Sequence, residues 1–340
     1  MDANRFSRRG VIAGGAGLAL LGSLARPALA QGGGQGGGQG AARKLRIAVF
    51  GAPSLGAFLP PVIKERGLDA KQGLDIDFVE RTPDAYATQF NTGEFQLGGS
   101  AAPLTIGLAE QRGIKPVYLL NLFDYWGAAV TNREAIRTLK DLEGQDLAAA
   151  RGTTNYAMFA WFARRQGADP DKFRVVNTAP PGLVAYAMAD RAAAVQLWEP
   201  AYTLLKARKP SIRMLDLGIA KNWQDFAGSA QIPYLGLAAH QEWVASNKPL
   251  VPKLHAMYRE AAEWLLANPD EGARLAAGRG GADEQKALAD LIRNNERLGL
   301  NVRMAGSIRK EIEAVYRAGQ EVGLLPGLPS GATIHDGQES

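Results

Sequence analysis

Cysteine is absent from all 340 residues. That excludes disulfides, thiolate metal sites, a cysteine nucleophile and the acylated cysteine of a bacterial lipoprotein. Histidine is scarce, with only His240, His255 and His335. They form no His-Glu-x-x-His pair, and no Walker loop or metal-ligand cluster accompanies them, so no cofactor or metal is expected. Long apolar runs are missing as well: Val11–Ala25 is short and glycine-rich beside the ~20 apolar residues that a membrane span needs. Neither charge sign dominates. The chain carries 39 basic and 34 acidic side chains, and without residues 1–30, which hold four bases and one acid, the balance is 35 to 33. A surface so nearly neutral offers nothing for nucleic acid.

What is present begins with "SRRGVIAGGAGLALLGSLARPALAQ". A basic start, a short apolar stretch and the small residues Ala28-Leu29-Ala30 make the three-part pattern of an export signal over residues 1–30. The paired Arg8-Arg9 is similar to a twin-arginine signal, with the Sec route as the alternative. The expected location is the periplasm. Residues 31–43, mostly Gly and Gln, have few side chains to bury and are expected to be a flexible linker.

From Lys44 onwards short apolar runs alternate with helical stretches. Strands are expected at 45–50, 75–79, 117–123, 127–132, 146–150, 173–177, 192–198, 212–217 and 234–239, and helices at 54–66, 83–92, 103–112, 155–166 and 182–189. Most of the runs are unbroken, the pattern of strands covered on both faces. A βαβα order predicts an α/β fold with mainly parallel sheets flanked by helices. The last third is helical. Val251, Leu254, Tyr258, Ala261, Leu265 and Leu266 are expected to share one helix face, and Ile308, Ile312, Val315 and Tyr316 another, with Ser307 as the expected N-cap.

Three strand-to-helix junctions carry the candidate chemistry. In "AAARGTTNYAMFAWF", Arg151, Gly152, Thr153, Thr154 and Asn155 sit between a strand and a helix. A helix start has unpaired N–H groups and an effective charge of about +0.5, so a glycine and short hydroxyl or amide side chains there make a cradle for an oxyanion. The plain alternative is that Thr153 or Thr154 caps the helix. "GGSAAP" offers Ser100 and "GAPSLG" offers Ser54 in the same position, each also readable as an ordinary tight turn. "LWEP" brings Trp198 and Glu199, a flat wall and an acceptor suited to an ammonium or N–H, or else a core tryptophan and a capping carboxylate. Tyr125 and Trp126 in "FDYWGAA" could stack on a ligand or seal a hinge. Arg151 either faces the cradle or faces solvent. Ser100 is also the one candidate nucleophile for a hydrolase, with His240 as its only plausible base.

Four stretches resemble the periplasmic solute-binding proteins of ABC importers, in the group that binds sulfonates, taurine, nitrate and thiamine pyrimidines. They are "RIAVFGAPSLGAFLPPVIKERGLDAKQGLDIDFVE", "FNTGEFQLGGSAAP", "GTTNYAMFAWFARRQGADP" and "AVQLWEPAY". Leu68-Asp69 departs from the aromatic pair usual before "KxGLD", and Asn155 stands where a histidine is frequent. The resemblance implies a two-lobed type II binding fold. Residues 44–131 and 234–330 would form lobe one, 132–233 lobe two and 331–340 a polar tail, with crossings near Val130–Asn132 and Pro233–Leu237. It implies a non-enzymatic monomer that closes on a small anion or zwitterion, a taurine-like sulfonate first and an aromatic acid or pyrimidine next, and passes it to a permease with its ATPase. A ligand-sensing role shares the same fold.

Overall fold

The computed structural model describes residues 42–278 and 280–338. The expected export signal and nearly all of the linker lie outside the described residues. The described chain builds eleven strands: β1 (Arg43–Phe50), β2 (Leu74–Arg81), β3 (Leu97–Ala101), β4 (Pro116–Asp124), β5 (Gly127–Thr131), β6 (Asp146–Ala149), β7 (Arg174–Asn177), β8 (Ala194–Trp198), β9 (Arg213–Leu215), β10 (Pro233–His240) and β11 (Leu300–Met304). They form a six-stranded sheet in the order β11-β4-β10-β3-β1-β2 and a five-stranded sheet in the order β7-β6-β8-β5-β9.

Strand direction follows from where the chain crosses between sheets. In the first sheet β1, β2 and β3 are parallel, and β10 runs against both β3 and β4. In the second, β6 is parallel to β7 and β8, while β5 runs against β8 and β9. β4 ends at Asp124 and β5 starts at Gly127, so β5 enters its sheet from the side toward which β4 points. β10 re-enters the first sheet the same way. Each returning strand must therefore run against the others, and the carboxyl ends of the mainly parallel strands in both sheets point toward the crossings.

The outgoing crossing is Tyr125–Trp126, earlier than the expected Val130–Asn132. Residues 127–131, read from the sequence as part of the first lobe, pair with Val195–Trp198 and Arg213–Leu215 in the second sheet. The two crossings lie side by side, since the Tyr125 N–H donates to the Ile232 carbonyl at 2.8 Å.

Both sheets are covered on two faces. Leu45, Ile47 and Val49 of β1 and Leu235 and Leu237 of β10 pack with Leu254, Met257 and Tyr258 of the helix Leu250–Ala267. In the second sheet Leu147, Ala149 and Ala194 face the helix Thr154–Arg165, while Ala148, Val195 and Leu197 face Leu183 and Leu205 on the other side. This is the burial that unbroken apolar runs call for. β2 instead alternates buried and exposed residues and carries Asp75, Asp77 and Glu80 at the sheet edge, a pattern that discourages pairing with another chain.

Two C-terminal expectations change. Ser307 does not cap the helix Arg309–Glu321; it lies in a short 3-10 turn and donates to the Met304 carbonyl at 2.7 Å. The supposed polar tail is docked up to the last described residues. Thr333 and Ile334 are buried, and the His335 N–H donates to the Tyr118 carbonyl at 3.0 Å. The apolar Ile334 and the hydroxyl of Thr333, bonded to Tyr316 at 3.0 Å, give this segment a reason to pack.

Candidate ligand site

The stretch Arg151–Asn155 leaves the carboxyl end of β6 and opens the helix Thr154–Arg165 on the side of the crossings. Thr153 is its N-cap: the hydroxyl accepts from the Tyr156 N–H at 3.2 Å and donates to the Ala150 carbonyl at 2.8 Å. The first turn is otherwise unspent. Among the described residues the backbone N–H groups of Gly152, Thr154 and Asn155 have no acceptor, and the Thr154 hydroxyl has no partner. A Cβ added at Gly152 would meet nothing within 4 Å, so the approach to these donors is open. Arg151 is exposed, and its N–H is held by Asn177 Oδ1 at 2.9 Å. The arrangement offers partial positive charge and several donors at one point.

Asn155 turns inward. It is 3% exposed, its Nδ2 donates to the Tyr234 hydroxyl, and its buried Oδ1 has no partner. Tyr234 stands at the start of β10, on the returning crossing. Tyr125, on the outgoing one, lies edge-on to Tyr234 with ring centres 5.7 Å apart and stacks on Phe162 at 5.8 Å. Burial pushes the phenols of both tyrosines up, Tyr234 to about 12. Both therefore act as neutral hydroxyls. Gly127 is needed beneath this layer, because a Cβ there would run into the Tyr125 hydroxyl.

The carboxylate of "LWEP" is already engaged. Glu199 is 1% exposed. It accepts from the Thr203 N–H at 3.1 Å, from the Thr203 hydroxyl at 3.0 Å and from Arg297 Nε at 3.0 Å. Burial pushes its carboxyl up and Arg297 pulls it back, with a net upward shift. The guanidinium of Arg297 also lies over Trp126 at 5.3 Å and Tyr202 at 4.9 Å. Glu199 thus closes a structural latch with Arg297 and Thr203. Trp198 is half-buried and pairs with Gly127, beside Trp126.

The first sheet contributes less than its serines suggested. Ser54 is spent on capping a 3-10 turn, accepting from Gly56 N–H at 3.2 Å. Ser100 lies inside β3, 2% exposed, and accepts from the Phe50 N–H at 2.9 Å. It sits in a regular strand and not on a strained turn, and His240 Nε2 lies 2.7 Å from the Phe90 carbonyl oxygen, so no nucleophile and base come together. Among the described residues no cluster of His, Asp and Glu could hold a metal ion, and no helix is long and apolar enough to cross a membrane. A surface cavity of about 450 Å³ lies at the opposite end of the second sheet, lined by Lys140, Glu143, Arg164, Asp169 and Lys172. Lys172 sits 3.6 Å from both acids, so that cavity's charges largely answer one another.

The structure therefore brings Thr153, Thr154, Asn155 and Tyr125 together and sets Ser54, Ser100 and Glu199 to structural tasks. Sequence reasoning missed Tyr234 and Arg297. An aromatic heading the returning strand was a usable signal for the first; nothing in "RNNERLGL" marked the second.

Two α/β halves that point their strand ends at a shared pair of crossings define a class, the two-lobed solute-binding fold. The NMT1/THI5-like family pattern matches residues 62–272, more than half of the chain, and the chain belongs to that family. Solved structures share the fold. The alkanesulfonate-binding protein SsuA of Xanthomonas axonopodis pv. citri, bound to MOPS, superposes with a TM-score of 0.68 at 19% identity, covering 86% of this chain and 98% of that one. The periplasmic aliphatic sulphonate-binding protein SsuA of Escherichia coli gives 0.67 at 18%, covering 84% and 95%. The periplasmic nitrate-binding protein NrtA of Synechocystis PCC 6803 gives 0.63 at 14%, covering 86% and 84%. A Brucella abortus (strain 2308) protein that carries only the general designation of binding protein is 23% identical over 223 residues, 65% of this chain and 67% of its own. All four are named as binding proteins.

Proposed function

We propose that this chain is the exported, periplasmic solute-binding component of an ABC importer and that it captures a small organic anion, a sulfonate first, between its two lobes. The observation that carries the reading is the set of free donors at one helix start, the N–H groups of Gly152, Thr154 and Asn155 with the Thr154 hydroxyl, on the side of the two crossings. Such a set favours an anionic group and holds it without a full counter-charge. Sulfonate and nitrate binders among the fold neighbours agree with this chemistry. In this reading closure is a hinge motion at Tyr125–Trp126 and Gly228–Ile232, the closed form being selected by the ligand. A membrane permease and its ATPase are the receiving partners, and the protein works as a monomer.

The half-buried aromatics Trp126, Trp198 and Tyr234 near the crossings favour an aromatic carboxylate as the second reading, since apolar walls with a few polar anchors suit such a ligand. A thermal-shift screen against alkanesulfonates, nitrate, bicarbonate, aliphatic and aromatic carboxylates and pyrimidines tests both. A ligand that binds only the folded form raises the melting temperature. Stabilisation by pyrimidines alone would defeat the anion reading.

A further inference from the structure

Two ties join the first lobe to the second outside the crossings, one on each face of the second sheet; what they imply rests on the hinge motion proposed above. The helix Arg309–Glu321 lies on the first-lobe helix Pro103–Gln111, close enough that a Cβ at Gly319 would meet Leu104. Its last residue reaches the second lobe. Glu321 Oε2 accepts from Trp161 Nε1 at 2.7 Å and from Arg165 at 2.9 Å, and the Glu321 carbonyl accepts from Arg164 at 2.9 Å. All three donors belong to the helix Thr154–Arg165, whose start carries the free N–H groups. On the other face, the helix Ala201–Arg208 sends Leu204 into the first-lobe core. Glu199, just before that helix, takes Arg297.

The two ties meet the outgoing crossing at consecutive residues. Successive side chains of an extended segment point to opposite sides, and Tyr125 and Trp126 join the clusters on opposite faces of the second sheet. Tyr125 stacks on Phe162, which meets Trp161 edge-on at 4.9 Å. Trp126 lies 5.2 Å from Tyr202 and 5.3 Å from the Arg297 guanidinium. Each tie therefore bears on the crossing and not on the open helix start, since Trp161 lies about 12 Å along the helix from its N-cap Thr153. Points near a rotation axis move least, so contacts there can persist while the lobes part and meet. We infer that the tie of Glu321 to Trp161 and Arg165 and the tie of Arg297 to Glu199 are the two bearings of the hinge. They confine the lobes to one rotation about an axis through Tyr125–Trp126, and Glu321 is a positioning residue for the donor-bearing helix. Without a bearing the two crossing strands also permit twisting, and twisted orientations do not bring the lobes together over a solute. Apparent affinity then falls with the fraction of molecules able to close correctly.

The chain has no cysteine, so spin labels on Arg112→Cys and Arg191→Cys, exposed positions in the first and second lobe, report lobe separation by double electron–electron resonance. The labelled full chain should give one narrow distance distribution. The Glu321 side chain is 46% exposed, so Glu321→Ala should spare the fold and add a broad second population. Glu321→Gln, still an acceptor for the Trp161 indole, should restore most of the narrow one. Arg297→Lys keeps the charge but loses the planar group beside Trp126, and should broaden the distribution from the other face. Lys221→Ala, which breaks an exposed ion pair within the second lobe, should change nothing. Calorimetric titration with ethanesulfonate should show binding at least about threefold weaker in Glu321→Ala and Arg297→Lys. Distributions as narrow in these two variants as in the parent, or tighter ethanesulfonate binding, overturn the bearings. If the distributions broaden as expected but no sulfonate, nitrate or carboxylate binds the parent, the bearings stand and the anion reading falls.

Discussion

Arg297 Nε donates to Glu199 Oε1 at 3.0 Å, joining the segment just before β11 in the first sheet to the residue just after β8 in the second. The carboxylate is 1% exposed and the guanidinium side chain 30% exposed, so the pair is worth most as a unit. Arg297→Ala strands a buried carboxylate and should cost about 3 kcal/mol in urea unfolding, the lower end of what breaking such pairs costs. Glu199, already raised above its ordinary 4.5, is then raised further, so the loss should shrink as pH falls from neutral toward that ordinary value. Combining Arg297→Met with Glu199→Gln should recover most of it. A cost unchanged between pH 7 and pH 4 would count against a charged latch.

The crossing residue Asp124 should make stability pH-dependent in the unusual direction. Burial pushes its carboxyl up to about 6, against the pull of Asn301, Asn121 and Arg303 and with a small push from Glu311. The folded state then binds a proton that the unfolded state releases, so this group's contribution is fullest below its unfolded value of 3.8 and declines as pH rises to about 6. Its oxygens accept from Asn121 Nδ2 at 3.1 Å and Asn301 Nδ2 at 2.7 Å. In Asp124→Asn the urea midpoint should change less between pH 4 and pH 7 than in the wild type.

Asp69 should behave in the opposite sense. Burial would raise its carboxyl, but Lys64 Nζ at 2.5 Å and the N–H groups of Ile76 and Ala70 hold it below the ordinary value. Its stabilisation is present above the unfolded value and is lost as pH falls through the lowered folded one. Asp69→Asn should cost about 1–3 kcal/mol at pH 7 and much less in acid, measured by chemical denaturation at both pH values. The departure from the aromatic pair noted in the sequence is therefore a tether between the first helical segment and β2.

The adjacent threonines should separate stability from binding. Thr153→Val removes the N-cap and should cost about 1 kcal/mol, read as a lower melting temperature. Thr154→Val removes a hydroxyl with no partner among the described residues, so the melting temperature should hold while affinity for the best anion in the screen falls. If Thr154→Val bound as tightly as the wild type, its hydroxyl would have no place in the cradle.

Much of the scaffold was legible because strands and helices leave periodic marks. Unbroken runs such as "VYLLNLF" and "AVQLW" could only be covered strands, and Gly-Thr-Thr-Asn before an aromatic helix marked a helix start. β11 was missed because "LNVRM" is short, only partly buried, and carries Asn301 and Arg303 where an apolar run would mark a strand. The export signal is a sequence expectation on residues outside those described.

The order of residues by itself determined the α/β class, the absence of thiol chemistry, and the position of the donor-rich helix start, since each depends on local pattern or composition. Only tertiary structure decided which polar groups remain available. Whether Glu199 meets a ligand or Arg297, and whether Asn155 is satisfied or left with a bare oxygen, depends on residues 98 and 79 positions away along the chain. Hydrogen-bond capacity is spent in space, and a sequence lists the donors and acceptors without saying which of them have already met.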